Sequence, residues 1–425
     1  MANRRLCHSC GACSAVCPTG AIDFHETVGG HVFPLVDEES CTECGLCRQV
    51  CAGTVENDVL SGALPDDPFA GEFVGAWVGR TSDEEVYPGS QSGGLVSQLL
   101  IDMLDSGRID AAAVVRMQPG DPARPQAVLA RSRSEVLEAR RSKYCPVPVL
   151  DVLRQAADAD ENVALVGLAC HMHGLHMMRE AGCDAASAVN LKIGLICDRT
   201  LTLAAVDYLL NQTGRRGPQN LIFRDKRRTG YPGDVSVVEE GGDVIHLSKS
   251  ERMGIKDFFT PARCRLCFDK MNVLSDVTVG DPWGIDREND GGESVVVART
   301  DTGRDAVERS RDAGTLILQP VDYEAVTAGQ HIDAKRREWP TYCRAWDEMD
   351  RPLPGFYDVV STRSAEPAES PEEAKKSLEW SLALDEHESR EKLLRRVAHM
   401  RLYQKMKRLM LFPLRLARRI WRKLR

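Results

Sequence analysis

Apolar and polar positions along this chain fall into two rhythms. Short unbroken apolar runs at residues 73–79, 111–115, 162–167, 191–197, 277–280 and 294–298 read as strands, most of them suited to burial on both faces. Helical character covers 95–104, 170–181 and 201–211. Strands that alternate with helices predict an α/β sheet. Residues 235–238 and 244–247, joined through Gly241-Gly242, predict a hairpin beside it.

Two stretches interrupt the pattern. Residues 61–69 are rich in Gly, Pro and Asp, and 361–373 are polar with two prolines, so both read as linkers. They divide the chain into a small unit at 1–60, a larger body at 70–350 and a tail at 361–425. In the tail, Leu402, Met406, Leu409, Met410 and Phe412 lie among basic residues before Pro413, and Leu416, Ile420, Trp421 and Leu424 follow it. A pair of basic amphipathic helices is expected there, suited either to docking on an anionic membrane surface or a partner, or to a terminal helix with a solvated charged face.

Charge sharpens that division. The 425 residues carry −8, yet residues 392–425 hold thirteen Lys or Arg and no Asp or Glu, so the preceding 391 residues carry −21. A strongly acidic body does not read as a nucleic-acid binder. No run approaches 18 uninterrupted apolar residues, and the first residues lack the apolar segment of a signal peptide, so a cytoplasmic protein is expected.

Cysteine spacing supplies the chemistry. Eight of fifteen cysteines occupy the first 51 residues, as Cys7-x2-Cys10-x2-Cys13-x3-Cys17-Pro18 and Cys41-x2-Cys44-x2-Cys47-x3-Cys51. Three thiolates at i, i+3 and i+6 surround one face of a cubane, and in two-cluster ferredoxins the fourth comes from the other motif. This assigns one 4Fe-4S cluster to Cys7, Cys10, Cys13 and Cys51, and a second to Cys41, Cys44, Cys47 and Cys17. Structural zinc needs only one tetrahedral set, and a disulfide framework does not suit a reducing compartment.

Four further cysteines belong to the body. Cys170 and Cys197 follow predicted strands, and Cys264-x2-Cys267 sits in a short loop. Strand ends converge on one edge of an α/β sheet, where a third cluster is possible. The pair also fits half a zinc site or a redox pair, and a lone cysteine is commonly a small buried hydrophobe. Gly89-Ser90-Gln91-Ser92-Gly93-Gly94 precedes a helical run, an arrangement that suits a phosphate but is equally explained by an N-cap at Ser92. Asp281 either orients a ligand or caps a turn with Pro282. His171, His173 and His176 share one helical segment, where a ligand pair, a proton donor or plain surface positions are the alternatives.

Taken in order, the double cysteine motif, the GSQSGG turn, Ser142-Lys143-Tyr144, Val166-Gly167-Leu168-Ala169-Cys170, Phe223-Arg224-Asp225-Lys226, Cys264-x2-Cys267 and residues 275–284 (SDVTVGDPWG) resemble the family of coenzyme F420 hydrogenase/dehydrogenase beta subunits over about residues 1–300. Here F420 is a deazaflavin. The resemblance implies FAD-binding iron-sulfur oxidoreductases, relatives of which include 7-hydroxymethyl chlorophyll a reductase. It implies an N-terminal ferredoxin domain joined to a mixed-sheet, flavin-binding α/β body with a helical tail.

It further implies that Ser90, Gln91, Ser92, Gly93 and Gly94 meet FAD, that Lys143 and Lys226 lie near flavin or substrate, and that Cys170, Cys197, Cys264 and Cys267 hold a cluster beside the flavin. Leu168-Ala169 stands where the family usually has Thr-Pro. The expected activity is transfer of electrons from a ferredoxin-like donor through the clusters to FAD and an organic acceptor such as coenzyme F420. The alternatives are an electron-transfer component of a larger complex and an accessory protein of surface-polysaccharide assembly.

Overall fold

The buried apolar runs form the middle of an eight-stranded mixed sheet. The computed structural model describes residues 6–54, 59–120, 122–214, 217, 219–285, 291–368 and 370–423, with side chains as far as Lys407. The strands are β1 (Ile22–Glu26), β2 (Val32–Val36), β3 (Gly75–Thr81), β4 (Ala111–Gln118), β5 (Arg124–Ala130), β6 (Val163–Gly167), β7 (Val189–Leu195), β8 (Gln219–Asp225), β9 (Asp234–Glu239), β10 (Val244–Leu247), β11 (Val277–Gly280), β12 (Ser294–Ala298) and β13 (Leu316–Pro320). The large sheet runs β13-β3-β12-β11-β7-β6-β4-β5, with β4, β6, β7 and β11 parallel and the rest antiparallel to their neighbours.

Strand periodicity explains why these runs are continuously apolar. Ala111, Ala113, Val163, Leu165, Val295 and Val297 enter one core, while Ala112, Val114, Ala164, Val296 and Ala298 enter another on the opposite face. The first core continues into the N-terminal unit through Ala12, Ala15, Val16 and Val50, which meet Leu150, Met172 and Leu175. At Gly11, φ is +96° and an added Cβ would lie 2.6 Å from Asp151 N and 2.8 Å from Pro148 O, so no larger residue fits between unit and body. Leu150 N donates to Cys10 O over 2.9 Å and Ser14 Oγ to Asp151 Oδ1 over 2.6 Å.

Strands β5, β8 and β13 were not legible as apolar runs. β5 and β13 are the two edges of the large sheet, where Pro125 and Pro320 are tolerated and polar residues face water. β8 pairs with β9, and β9 with β10, to build a separate three-stranded sheet around the expected hairpin. Residues 61–69 are less of a linker than their composition predicts. Phe69 is fully buried, edge-on to Phe268 and Trp339 with ring centroids 6.2 and 6.0 Å away.

The C-terminal segment straps the N-terminal hairpin to the body. Leu384, Leu393, Leu394 and Val397 share a core with Leu209, Phe223, Val235, Val237 and Val32. Asp385 accepts from Thr27 Oγ1 at 2.6 Å and Gly29 N at 2.8 Å, and pairs with His31 at 3.0 Å. Burial alone would raise the Asp385 carboxyl, but these partners, His31 foremost, hold it well below its ordinary 3.8. Asp385→Asn is therefore expected to lower stability at pH 7 by about 2 kcal/mol, the scale of a buried charged hydrogen bond. A depressed carboxyl stabilises only while ionised, so this difference holds above 3.8 and shrinks as pH falls below it. Urea denaturation of both proteins at pH 7 and pH 3 tests this. An equal gap at both would assign the effect to packing.

The tail is one helix, Arg390–Lys423, where a pair flanking Pro413 was expected. Proline keeps a helical φ and forfeits one backbone bond, so the helix can continue through it. Leu402, Tyr403 and Met406 are exposed on it. Leu409, Met410, Phe412, Leu416, Ile420 and Trp421 have side chains outside the described residues, Leu424 lies outside them altogether, and the expected surface contact rests on these positions. Among the described residues no helix is long and apolar enough to cross a membrane.

Candidate functional site

A cavity of about 650 Å³ opens along the carboxyl edge of the four parallel strands, between the ends of β4, β6, β7 and β11. Val166-Gly167, Leu195 and Val279-Gly280 form its floor, and Gly94 to Ser97, at the start of the helix Leu95–Asp105, form one wall. Ser90, Gln91 and Ser92 stand on that wall, and Gly93 lies behind it. An added Cβ on Gly93 would come within 2.4 Å of Gly79 O, so the turn is pressed directly on β3.

Both serine hydroxyls of the turn are spent on main-chain carbonyls. Ser90 Oγ donates to Val86 O at 2.7 Å and Ser92 Oγ to Glu293 O, while Gly93 N donates to Ser294 Oγ at 3.0 Å. Gln91 accepts from Ser142 N at 3.1 Å through Oε1. Lys226 does not line the cavity. Its ammonium donates to Ser92 O at 2.8 Å and lies 3.9 Å from the centroid of Tyr87, bracing the turn from outside. Burial, with Arg80 and Arg141 nearby, lowers Lys226 to about 8.

Lys143 is on the wall, but its ammonium donates to Ala139 O at 2.5 Å and Arg140 O at 2.9 Å, closing the carboxyl end of the helix Arg133–Ala139. Burial, with Arg141 adding to it, lowers Lys143 to about 7. Asp281 accepts from Arg224 at 2.6 Å, and Arg224 also donates to Pro232 O at 2.9 Å and reaches Tyr144 Oη at 3.4 Å. Among the described residues the cavity wall carries nine Arg and Lys side chains, against Asp198 and Asp281 as its only carboxylates. Arg252 is 6% exposed and its Nε has no partner. That orphaned donor and the surplus of positive charge fit an anionic ligand, and a helix N-terminus suits a phosphate group. The volume is within the range of roughly 300–1,000 Å³ usual for cofactor sites.

The N-terminal cysteines lie close together, and their neighbours cross the two sets read from spacing: Cys13 and Cys51 each have both Cys7 and Cys47 beside them. The Cys10 thiol is pushed well above its ordinary value by burial and by Cys13, Cys51 and Cys7 around it. Cys13 rises to about 12 and Cys51 to about 11 for the same reasons. Cys47 is raised by burial and has Cys44 and Cys17 as neighbours. Main-chain N–H groups point at sulfur, Ser9 N at Cys7 over 3.4 Å, Ala21 N at Cys17 over 3.3 Å and Glu43 N at Cys41 over 3.5 Å. Of the eight, Cys44 is exposed.

The four body cysteines also meet. Burial pushes the Cys197 thiol up, and Cys264, Cys170 and Cys267 add to it. They line a small second cavity that shares Leu168, Cys197, Asp198, Arg199 and Thr200 with the large one. Thiolates crowded at a buried site, with main-chain donors in the N-terminal sets, fit iron-sulfur groups.

The helical histidines are held by the protein itself. His171 Nδ1 accepts from Leu168 N at 2.9 Å, its Nε2 lies 3.0 Å from Val147 O, and burial lowers it to about 4. His173 pairs with Asp269 at 3.0 Å and stacks on Phe268. Arg252 and Arg263 escaped sequence reasoning, because a single arginine without spacing has no motif.

Comparison with known proteins matches residues 76–154 to the N-terminal and 160–324 to the C-terminal model of the coenzyme F420 hydrogenase/dehydrogenase beta subunit. The chain belongs to this family. Residues 6–54 match a 4Fe-4S dicluster domain, so this family member is an iron-sulfur protein built for electron transfer. It is 27% identical over 345 residues to one of the subunits of the F(420)H(2) dehydrogenase of Methanosarcina mazei, covering 78% of this chain and 90% of that one. It is 27% identical over 310 residues to coenzyme F420-dependent sulfite reductase of Methanocaldococcus jannaschii, covering 71% of this chain but only 45% of that protein. A chain of the F420-reducing [NiFe] hydrogenase complex of Methanosarcina barkeri shares the fold, with TM-score 0.53 and 21% identity over 68% of this chain and 98% of that one.

Proposed function

We propose that this family member is an FAD-dependent oxidoreductase that takes electrons from a redox protein at its N-terminal face and delivers them to an organic acceptor, such as coenzyme F420, in the large cavity. The observation that carries this reading is the shared wall: Cys197 lines both the cavity and the pocket of four thiols, so a redox group held by those thiols would adjoin a ligand in the cavity. Bound FAD supplies the exchange between one-electron and two-electron chemistry.

The protein's own part is positional. Exposed Cys44 opens the outer set of thiols to a partner, the inner set packs against residues 148–151, and the body cysteines lie between these and the cavity. At the cavity, the helix N-terminus at Gly94 and the unpaired donor of Arg252 supply sites for an anionic cofactor or substrate, and the Arg224–Asp281 pair lines the same cavity. Relatives named as subunits favour work within a larger complex as a variant of the same reading.

Anaerobic purification with iron, sulfide and flavin quantitation tests it. About twelve irons and one FAD support three cubanes beside a flavin. About eight irons and no flavin overturn it. Because Lys143 is lowered to about 7 on the cavity wall, its positive charge disappears as pH rises through 7. FAD affinity, measured by fluorescence quenching, is expected to weaken up to about tenfold between pH 6 and 8.5, as one opposing charge is worth about 1.4 kcal/mol at such a site. Lys143→Gln should flatten the profile, and an equally steep profile in that variant would remove Lys143 as the cause.

A further inference from the structure

A buried cation, Arg263, lies in the small pocket of the body thiols, on the side where the N-terminal unit meets it through His8. Arg263 precedes Cys264 on the short helix Ala262–Arg265 and is 8% exposed. Its Nη2 lies 3.4 Å from Thr200 Oγ1, which in turn lies 3.4 Å from Cys264 Sγ. Arg263 lines the same small pocket as Cys170, Cys197, Cys264 and Cys267. It lines the small cavity with His8, which follows Cys7, so the pocket of the body thiols adjoins the first N-terminal cysteine.

The carboxylates of that pocket are engaged elsewhere. Asp269 is held by His173 Nε2 at 3.0 Å and Val273 N at 3.1 Å, and Asp198 by Arg199 at 2.8 Å. Among the described residues no carboxylate forms an ion pair with Arg263, so its charge is left to the sulfurs. A buried full charge is costly unless compensated, and here the compensating negative charge can come only from thiolates and what they hold.

We propose that Arg263 is a positioning residue shared by two iron-sulfur centres, one on Cys7, Cys10, Cys13 and Cys51 and one on Cys170, Cys197, Cys264 and Cys267, and that its charge raises the reduction potential of both. This rests on the three-centre reading above. Adding an electron makes each centre more negative, so a fixed cation within reach of both favours reduction of both. The centre on Cys17, Cys41, Cys44 and Cys47 lies outside its reach and keeps its own potential. Such an arrangement moves two neighbouring centres in the same direction, so both become easier to reduce without one being favoured over the other by the charge.

The test is a redox titration followed by electron paramagnetic resonance on the full-length holoprotein, comparing parent, Arg263→Gln and Arg263→Lys, each first assayed for iron. In Arg263→Gln, two of three centres should become harder to reduce, each by a factor of about ten in its equilibrium, or 59 mV for one electron, with the third unchanged. Arg263→Lys keeps the charge but not the reach of a planar fork, and should shift the same two centres by less. If Arg263→Gln loses iron, Arg263→Met, which also removes the charge, takes its place. Unchanged potentials in a charge-removing variant that retains its iron, or a shift confined to one centre, would overturn the proposal. Eight irons in the parent would instead defeat the three-centre reading on which it rests.

Discussion

Replacing Cys197 by serine is expected to lower the iron of the anaerobically purified protein from about twelve to about eight and to weaken flavin retention, while the ferredoxin-like signals of the N-terminal unit persist. The loss is a whole cubane of about four irons because the four ligands act together. Cys197 is the most informative of the four, since it faces the other three across the small pocket and the large cavity on its other side. The serine hydroxyl is nearly isosteric, so the core should survive, and far-ultraviolet circular dichroism checks that. Iron and flavin contents equal to the parent's would remove the third centre from the structure's chemistry. Loss of all twelve irons would instead report unfolding that spreads into the N-terminal unit, which shares its core with the body.

The second large effect is expected at the cavity rim. Arg224 has a side chain 4% exposed and Asp281 one 14% exposed, with nitrogen and oxygen 2.6 Å apart. Removing one partner of a buried pair strands the other charge, at roughly 3–5 kcal/mol. Asp281→Asn should therefore cost several kcal/mol in urea denaturation, and Arg224, which also contacts Tyr144 and Pro232, should lose its fixed orientation at the rim. The double variant Arg224→Met with Asp281→Leu recovers most of that stability because no charge remains buried. If Asp281→Asn is as stable as the parent, water or a bound anion already compensates Arg224, and the pair is not a structural clamp.

These residues show how unevenly the site was written in the sequence. The N-terminal cysteine loops were legible as a cluster domain, which residues 6–54 match, because a cubane imposes short, fixed spacing along the chain. The body cysteines are up to 97 positions apart, from Cys170 to Cys267, and spacing alone left them between a cluster, a zinc half-site and inert thiols. What joined them was the sheet. Parallel strands β6 and β7 end side by side, which carries Cys170 and Cys197 to one edge. The glycine-rich turn was legible as a place, but its hydroxyls turn out to hold Val86 O and Glu293 O, an assignment no local pattern contains.

By itself the amino-acid order determined the elements whose signal is local: the cysteine loops, the doubly buried strands, the hairpin and the basic tail. Periodicity and spacing act over a few residues, so these can be read without knowing what lies opposite. The tertiary structure alone decided the edge strands β5 and β13, whose polar faces hide their pairing, and the anchoring of Phe69 in an aromatic core. It alone decided the strap from Asp385 to the N-terminal hairpin, and the placing of Arg263 in the pocket of the body thiols. Such placements depend on contacts between residues far apart in the chain, where charge and burial are set by neighbours that sequence distance does not reveal.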